Sequence, residues 1–259
     1  MIFFDSILVF FIGICLGSFA NVCIYRLPKN KQIITGRSFC PKCKKTIKWF
    51  DNIPLISFLL LNGKCRKCHK PISLRYFIIE LITGIGFLLI YLNFNNYPTI
   101  IFLSVLFLLY LIIFFIDLKH FIIPDGLNFG IMALAIFKNF LPNFNTSFTH
   151  DINQSIIGGL VGFSVIWSII FLYDKLKNIE AMGLGDAKLM AAFGLFFGWQ
   201  SVPFILFFAS IIALISVFPS LINKKKNMRT EIPFGPSIIC AAFIYFFKGQ
   251  EIIEFLLVY

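Results

Sequence analysis

The chain of 259 residues is 59% hydrophobic and only 14% charged, with a net charge of +11. Soluble domains are usually about 45–50% apolar and about 25% charged, so this composition excludes a large soluble core and predicts a polytopic membrane protein. The basic residues gather between apolar runs, which favours positive-inside membrane topology over a nucleic-acid partner as the origin of the charge.

Residues 1–25 form the first apolar run, which is long enough for a membrane span of about 20 residues. The run has no basic start and no small-residue cleavage site, so we expect a retained helix instead of a cleaved signal peptide. Its second half contains Asn21 and leads to Arg26. Small residues nearby suit helix packing, but an amide near the membrane interface requires a partner or a ligand.

The segment 26–75 is the one sizeable polar segment, and it carries many basic residues but a single acid, Asp51. The positive-inside rule places this loop in the cytoplasm and the N-terminus on the other side of the membrane. The lysines between Lys42 and Lys48 also suit contact with anionic lipid head groups, although topology alone explains them.

Two C-x-x-C pairs lie in this loop. They are formed by Cys40 with Cys43 and by Cys65 with Cys68. Four thiolates on a cytoplasmic loop predict a closed, tetrahedral, structural zinc site, since disulfides are uncommon in the reducing cytoplasm. A redox dithiol is the alternative, but it would need only one pair. His69 is adjacent and surplus to a four-thiolate site.

Seven further apolar runs predict an all-α membrane protein of about eight transmembrane helices with a small cytoplasmic zinc-binding loop domain. These runs are approximately 74–94, 99–116, 125–141, 152–173, 187–199, 203–222 and 234 to the C-terminus. Lys138 and Lys248 are the only basic residues that this topology places on the outer side. We expect an N-terminal region over 1–94 and a six-helix domain over 95–259.

Two aspartates occupy matching places in this topology, because Asp117 ends an inbound helix and Asp186 begins an outbound one. Both are therefore expected at the cytoplasmic boundary. Two carboxylates in a partly apolar site tend to share one proton, which is what peptide hydrolysis by an aspartic pair requires. The alternative is that each caps a helix end or pairs with Lys119 or Lys188.

The residues around these aspartates suit the same site. Gly183 and Gly185 precede Asp186 and remove side-chain bulk, so that another backbone could approach the carboxylate. Asp125 lies at the same face, but its place after Pro124 favours a capping or positioning role. His120 is expected to be an interfacial residue.

Several motifs together resemble the type IV prepilin peptidase family, a class of GxGD intramembrane aspartic proteases. The resemblance covers nearly the whole chain and rests on the order and spacing of its parts. These parts are Gly17-Ser18-Phe19 with Asn21-Val22, Arg26 and Pro28; the two C-x-x-C pairs; Asn52-Ile53-Pro54 after Trp49; Ser73 with Arg75-Tyr76 and Glu80; Asp117 with Pro124-Asp125; Gly183-Leu184-Gly185-Asp186-Ala187-Lys188; and Pro233-Phe234-Gly235-Pro236. Ala20 departs from a larger apolar residue that is frequent in the family.

The resemblance implies two activities at the inner membrane of a bacterium. The first removes a basic leader from pilin-like precursors after a glycine, and by motif match Asp117 and Asp186 carry it. The second methylates the new N-terminal amine with S-adenosylmethionine. The N-terminal motif and the cysteine loop mark the bifunctional members. The methyl-transfer candidates are Asn21, Arg26, Gly63 and Glu80.

Three other interpretations stay open. The closest is a peptidase without methyl transfer. A proton-coupled transporter would also use intramembrane carboxylates, but it should show repeated hydropathy with helices broken at mid-membrane, and no half-repeat is evident. The third interpretation is a membrane scaffold that is stabilised by zinc and has no catalytic activity, but it would give the paired aspartates no role.

Overall fold

The computed structural model describes residues 2–33, 36–140, 151–177, 182–222 and 232–258. Most of the expected outer loop at 142–151 lies outside these ranges. So do Glu180 and the basic residues Lys224 to Lys226 and Arg229. Over the described ranges the chain is helical, with two isolated antiparallel β-bridges in the polar loop.

The helices follow the predicted apolar runs, apart from one short helix, Ile56–Leu60, within the polar segment 26–75. In chain order they are α1 (Ile2–Arg26), α2 (Ile56–Leu60), α3 (Leu74–Asn93), α4 (Tyr97–His120), α5 (Asp125–Phe137), α6 (Ile152–Lys177), α7 (Leu184–Phe197), α8 (Ser201–Ile222) and α9 (Gly235–Val258). The all-α prediction is confirmed.

Five stretches of the described chain are long and apolar enough to cross a membrane. They are Phe4–Lys29, Leu74–Asn93, Tyr97–His120, Ile152–Leu176 and Ser201–Phe218. The helices α5 and α7 have 13 and 14 residues, fewer than the roughly 20 that a perpendicular span requires. A multi-pass membrane protein is therefore supported, whereas the count of eight spans stays a prediction.

The chain forms two compact units, Met1–Ile112 and Ile113–Tyr259, which divide within α4. The division predicted at residue 94 was drawn from the sequence motifs and stays a prediction. In the first unit α1 packs against α3 at very close range. A Cβ atom added to Gly17 would lie 2.8 Å from the Cα atom of Glu80, so only glycine permits this approach.

In the second unit α7 is the central helix. Its side chains are almost all buried, and it packs against α5 and α6. The backbones of α6 and α7 meet at Gly158 and Gly194, where any side chain would overlap the facing carbonyl group. Gly198 ends α7 with a φ of 87°. Leu184, the first residue of α7, is exposed, but from Asp186 onwards most of the helix is buried, which limits the movement of Asp186.

Candidate functional site

Asp117 lies in the last turn of α4 and is buried. Its Oδ2 atom accepts a hydrogen bond of 3.1 Å from the backbone N–H of Gly235, the first residue of α9. The N-terminus of a helix carries unpaired N–H groups and a partial positive charge, so it suits a carboxylate. The two helix ends therefore fix one carboxylate of the candidate pair.

Asp186 is the third residue of α7, and its backbone N–H donates to the carbonyl oxygen of Gly183 at 3.1 Å. Its Oδ1 atom is buried without a hydrogen-bond partner. The neighbouring carbonyl of Gly185 accepts a bond of 3.3 Å from the amide of Asn128, whose own oxygen also lacks a donor. Unpaired buried acceptors are costly, and since none of the described residues donates to these two oxygens, they suit donors of a bound substrate or water.

The two aspartates converge around Ile123. A Cβ atom on Gly185 would lie 3.1 Å from the Cβ atom of Ile123, and one on Gly235 would lie 3.1 Å from its Cδ1 atom. The glycines beside Asp186 and Asp117 therefore flank one isoleucine. The carboxylates also interact electrostatically with each other. The structure thus brings together two residues that are far apart in sequence.

Asp125 lies beside this pair but has its own partner. Its Oδ1 atom accepts a 2.6 Å bond from the ammonium group of Lys188. The side chain of Asp125 is 60% exposed, in contrast to the buried Asp117 and Asp186. The ion pair joins the first turns of α5 and α7. Lys188 was the proposed partner of an aspartate of the pair, and the structure gives it to Asp125 instead.

Asn128 belongs to the site and was missed by the sequence analysis. It is fully buried in α5 and donates to the turn that carries Asp186. The one feature of the sequence that could have indicated Asn128 is that it is an amide in an apolar run, one helical turn after Pro124. Such an amide resembles an ordinary packing residue until its partner is known.

We expect Gly235→Ala to lower strongly the precursor cleavage that the resemblance implies. The added methyl group would lie 2.7 Å from Oδ2 of Asp117, closer than a non-bonded contact allows, so the carboxylate must move. A shift of about 1 Å can cost on the order of 100-fold in rate. Cleavage of a purified precursor measures the loss. The matched control is Gly126→Ala, because a Cβ atom at Gly126 meets nothing within 4 Å. Equal rates for both variants would contradict the arrangement.

A second cluster lies in the polar loop, where the two C-x-x-C pairs form the same turn twice. In the first pair the N–H of Cys40 donates to Lys45, and in the second the N–H of Cys65 donates to Lys70, both at 3.0 Å. Each turn includes a residue of left-handed conformation four places after its first cysteine and ends in one antiparallel β-bridge. The left-handed residues are Lys44 (φ 57°) and His69 (φ 54°).

The four sulfur atoms of these turns, which we call the four-Cys cluster, lie within 4.8 Å of one another, and those of Cys40 and Cys68 are 3.9 Å apart. Four ligands at about 2.3 Å from a tetrahedral ion would be about 3.8 Å apart. Backbone hydrogen bonds from Cys68 and Lys67 lower the pKa of Cys65 to about 7, which favours a thiolate there. The pKa of Cys68 is raised despite a backbone hydrogen bond from Lys70, because desolvation and the neighbouring sulfurs favour its thiol. The cluster can therefore hold one metal ion.

Asp51 is the only acid of the polar segment 26–75. It forms an ion pair with Arg66, which lies between Cys65 and Cys68 in the sequence. The guanidinium donates from Nε and Nη2 to the carboxylate, at 2.9 Å and 2.7 Å for Oδ1. This two-point geometry fixes the segment before α2 to the second turn. Because the Arg66 guanidinium is exposed to water, the pair contributes little to stability.

The four methyl-transfer candidates lie in two different parts of the first unit. Asn21 and Glu80 are both buried on the facing sides of α1 and α3. The Asn21 amide donates to the carbonyl of Tyr76 at 3.1 Å, and its oxygen is left without a partner. Glu80 accepts a hydrogen bond of 2.8 Å from the N–H of Leu55 and a second from Ser18. Both side chains therefore lie where α1 meets α3, and Asn21 binds α3 one helical turn before Glu80.

Arg26 and Gly63 lie at turns, and their part in methyl transfer stays a prediction. The guanidinium of Arg26 donates to the carbonyls of Gln32, Ile33 and Gly36, which folds the chain back beyond α1. Gly63 has a φ of 64° in the turn before the second cysteine pair, a conformation that favours glycine.

Comparison with known proteins covers most of the chain. Residues 11–94 match the bacterial peptidase A24 N-terminal domain, and residues 101–218 match the type IV leader peptidase family. No solved structure matches the chain.

Similar proteins carry the same name in several bacteria. The chain is 38% identical over 251 residues to the prepilin leader peptidase/N-methyltransferase of Vibrio cholerae, covering 93% of this chain and 96% of the relative. It is 31% identical over 271 residues to the Aeromonas hydrophila protein of that name, covering 95% and 91%. For the Klebsiella pneumoniae protein the identity is 40% over 210 residues, covering 78% and 89%. With both parts of the chain matched at this level, the protein belongs to the type IV leader peptidase family.

Proposed function

We propose that this protein cleaves the leader from type IV pilin-like precursors and methylates the new N-terminal amine. The observation that carries the first activity is the convergence of Asp117 and Asp186 in one compact unit. Membership of a peptidase family, and relatives named for both activities, support the assignment. The transporter and scaffold interpretations leave this membership unexplained.

Cleavage needs one carboxylate to act as base and the other as acid. With one proton shared by Asp117 and Asp186, the ionised group takes a proton from water as the water attacks the scissile carbonyl. The protonated group donates to the carbonyl oxygen, and the tetrahedral intermediate collapses when the leaving amine receives a proton. The proton belongs to the pair, so neither residue is given a fixed role.

The surroundings of the pair suit a peptide in an extended conformation. The unpaired oxygens of Asp186 and Asn128 offer acceptors for donors of a bound substrate or water. Asp117 is oriented by Gly235 and so keeps one oxygen for the reaction. In the predicted topology this site lies at the cytoplasmic membrane face. A pilin precursor, with an apolar helix in the bilayer and a leader in the cytoplasm, presents its scissile bond at that depth.

For methyl transfer we propose that Glu80 and Asn21, which lie where α1 and α3 meet, bind the cationic amine of the substrate. The buried unpaired oxygen of Asn21 and the carboxylate of Glu80 are acceptors that suit amines. S-adenosylmethionine, the methyl donor that the family implies, would supply the methyl group there. Glu80 would hold the substrate amine and receive its proton, since only an unprotonated amine is nucleophilic.

We propose that the four-Cys cluster binds zinc with a structural role. Its four sulfurs leave no open ligand position, and the matching turns offer both sulfurs of each pair to one ion. The ion would connect the segments before and after α2 and thereby shape the loop next to Glu80. The loop is expected in the cytoplasm of a bacterial inner-membrane protein, with the N-terminus on the opposite side.

The direct test of this function is incubation of the purified, reconstituted protein with a pilin-type precursor and methyl-labelled S-adenosylmethionine. We expect a shortened product that carries the label on its new N-terminal amine. A shortened but unlabelled product would favour the peptidase-only alternative. An intact precursor would contradict the proposal, and proton-coupled uptake in vesicles would then test the transporter interpretation.

We expect Glu80→Gln to lower methylation by on the order of 100-fold or more while cleavage continues. Glutamine keeps the size and can still accept a hydrogen bond from Leu55, but it cannot receive a proton. Label incorporation into precleaved pilin measures methylation separately from cleavage. The matched control is Glu251→Gln, because Glu251 is exposed and pairs only with the nearby Lys248 in the described part of α9. Unchanged labelling in Glu80→Gln would exclude this role.

A further inference from the structure

The polar loop exposes large apolar side chains in one short stretch. Over the described part of residues 27–73, all large apolar side chains that are exposed fall between residues 49 and 60. They are Trp49, Phe50, Ile53, Ile56, Leu59 and Leu60. Trp49 and Leu60 are each 77% exposed. A contiguous apolar patch beside basic turns is unusual for a surface in water and marks an interaction site.

This stretch, which we call the 49–60 segment, has an inner and an outer side. Trp49–Asn52 forms a single helical turn, and α2 follows it. The Ser57 hydroxyl donates to the carbonyl of Phe50 at 2.8 Å and ties the two parts together. Phe58 packs on Phe77 of α3, with ring centroids 5.3 Å apart. Because Ser57 and Phe58 face inwards, the exposed leucines of α2 face outwards.

A hydrogen bond connects the 49–60 segment to the side of α3. The backbone N–H of Leu55 donates to Oε2 of Glu80 at 2.8 Å. Glu80 is six residues after Leu74, the first residue of α3, which corresponds to about 9 Å along the helix axis. Leu55 has a φ of 59°, a conformation that costs energy for leucine and that the surrounding contacts maintain. The segment therefore lies beside a candidate membrane span instead of extending into the cytoplasm.

Basic groups border the exposed rings. The ammonium group of Lys48 lies 5.3 Å from the Phe50 ring centroid, and the Arg66 guanidinium lies 5.6 Å from it. Cations next to exposed aromatic and aliphatic side chains are the groups that a membrane interface accepts, since anionic head groups lie there beside acyl chains. A tryptophan at the border is typical of such a position.

We propose that the 49–60 segment inserts into the lipid of the protein's own bilayer, at the boundary of head groups and acyl chains. The occupant of the apolar patch is lipid, and its basic rim binds anionic head groups. The segment would hold the four-Cys cluster against the membrane surface. This proposal does not depend on the catalytic roles given above.

Fluorescence of Trp49 in the full-length protein tests the depth of the segment. Trp167→Phe with Trp199→Phe leaves Trp49 as the single tryptophan. The protein is reconstituted in phosphatidylcholine vesicles, with and without phosphatidylglycerol, that carry bromine near the head group or near the chain end. We expect strong quenching by the shallow bromines, weaker quenching by the deep ones, and emission at shorter wavelength when phosphatidylglycerol is present.

Two matched single-tryptophan proteins calibrate this result. Trp167, exposed within the span α6, should respond to lipid bromines as a membrane residue. Lys42→Trp, placed in a protein without the natural tryptophans, reports the exposed first cysteine turn. If Trp49 is quenched by aqueous acrylamide as strongly as the tryptophan at residue 42, and not by brominated lipid, the proposal is wrong. Lipid quenching that appears only when a pilin precursor is added would also overturn it.

A charge on the outer side provides a second test. Leu60→Asp should reduce quenching of Trp49 by shallow bromines, because a carboxylate resists entry into the interface. Leu60→Phe should leave the quenching unchanged. Retention of zinc by both variants, measured on the same samples, shows that the loop is still folded. Equal quenching in the two variants would contradict insertion through α2.

Discussion

Asp117→Asn and Asp186→Asn are each expected to lower precursor cleavage by on the order of 10³–10⁴-fold. Asparagine keeps the shape of the side chain and the hydrogen bond from Gly235 to residue 117, but it cannot exchange a proton with water or substrate. Since the two carboxylates act as one unit, the double variant should be little worse than either single one.

Initial rates on a purified precursor measure this loss, and insertion with normal zinc content shows that the protein is intact. Asp174→Asn is the matched control, because Asp174 is also an aspartate near the end of a helix but is exposed. Asp125→Asn addresses the adjacent ion pair with Lys188, and we expect it to cost far less than the loss of either buried aspartate. Near-normal cleavage by Asp117→Asn or Asp186→Asn would refute the catalytic pair.

Loss of the metal is expected to abolish methylation and to leave cleavage largely intact. Structural zinc sites of four ligands contribute about 10–16 kcal/mol in small peptides, more than a short loop can replace by packing. Cys40→Ser or Cys68→Ser should therefore release zinc and disorder the loop that bonds to Glu80 through Leu55. The aspartate pair belongs to the other compact unit and keeps its own contacts.

Metal content by mass spectrometry, together with separate cleavage and labelling assays, measures this outcome. Cys15→Ser is the matched control, because Cys15 is a free thiol in α1 outside the four-Cys cluster. Absence of zinc from the purified wild-type protein would refute the metal assignment. Full methylation by zinc-free protein would refute its connection to Glu80.

The sequence predicted the helices and the four-Cys cluster well, because both depend on local patterns. An apolar run of about 20 residues has few alternatives to a membrane helix, since its backbone polar groups must be satisfied within the segment. Two C-x-x-C pairs likewise present their sulfurs through one short turn each. The near-identical turns at Cys40 and Cys65 show how much of this geometry is local.

The lengths of membrane spans were less predictable. The apolar runs 125–141 and 187–199 suggest spans, but the helices in them, α5 and α7, have only 13 and 14 residues, and Gly198, with a φ of 87°, ends α7. Whether a short helix crosses a bilayer depends on its neighbours, and α7 is enclosed by other helices. The eight-span topology and the orientation of the termini therefore remain predictions.

By itself the sequence determined an all-helical membrane protein with four clustered cysteines and two aspartates on one expected face. Only the tertiary structure decided which groups meet. In the structure Lys188 forms an ion pair with Asp125, and the backbone N–H of Gly235 donates to the carboxylate of Asp117. The Asn128 amide donates to the turn that carries Asp186, and Arg26 and Gly63 lie at turns. Such partners come from helices far apart in the chain, and their selection depends on close packing at glycines, which no local periodicity records.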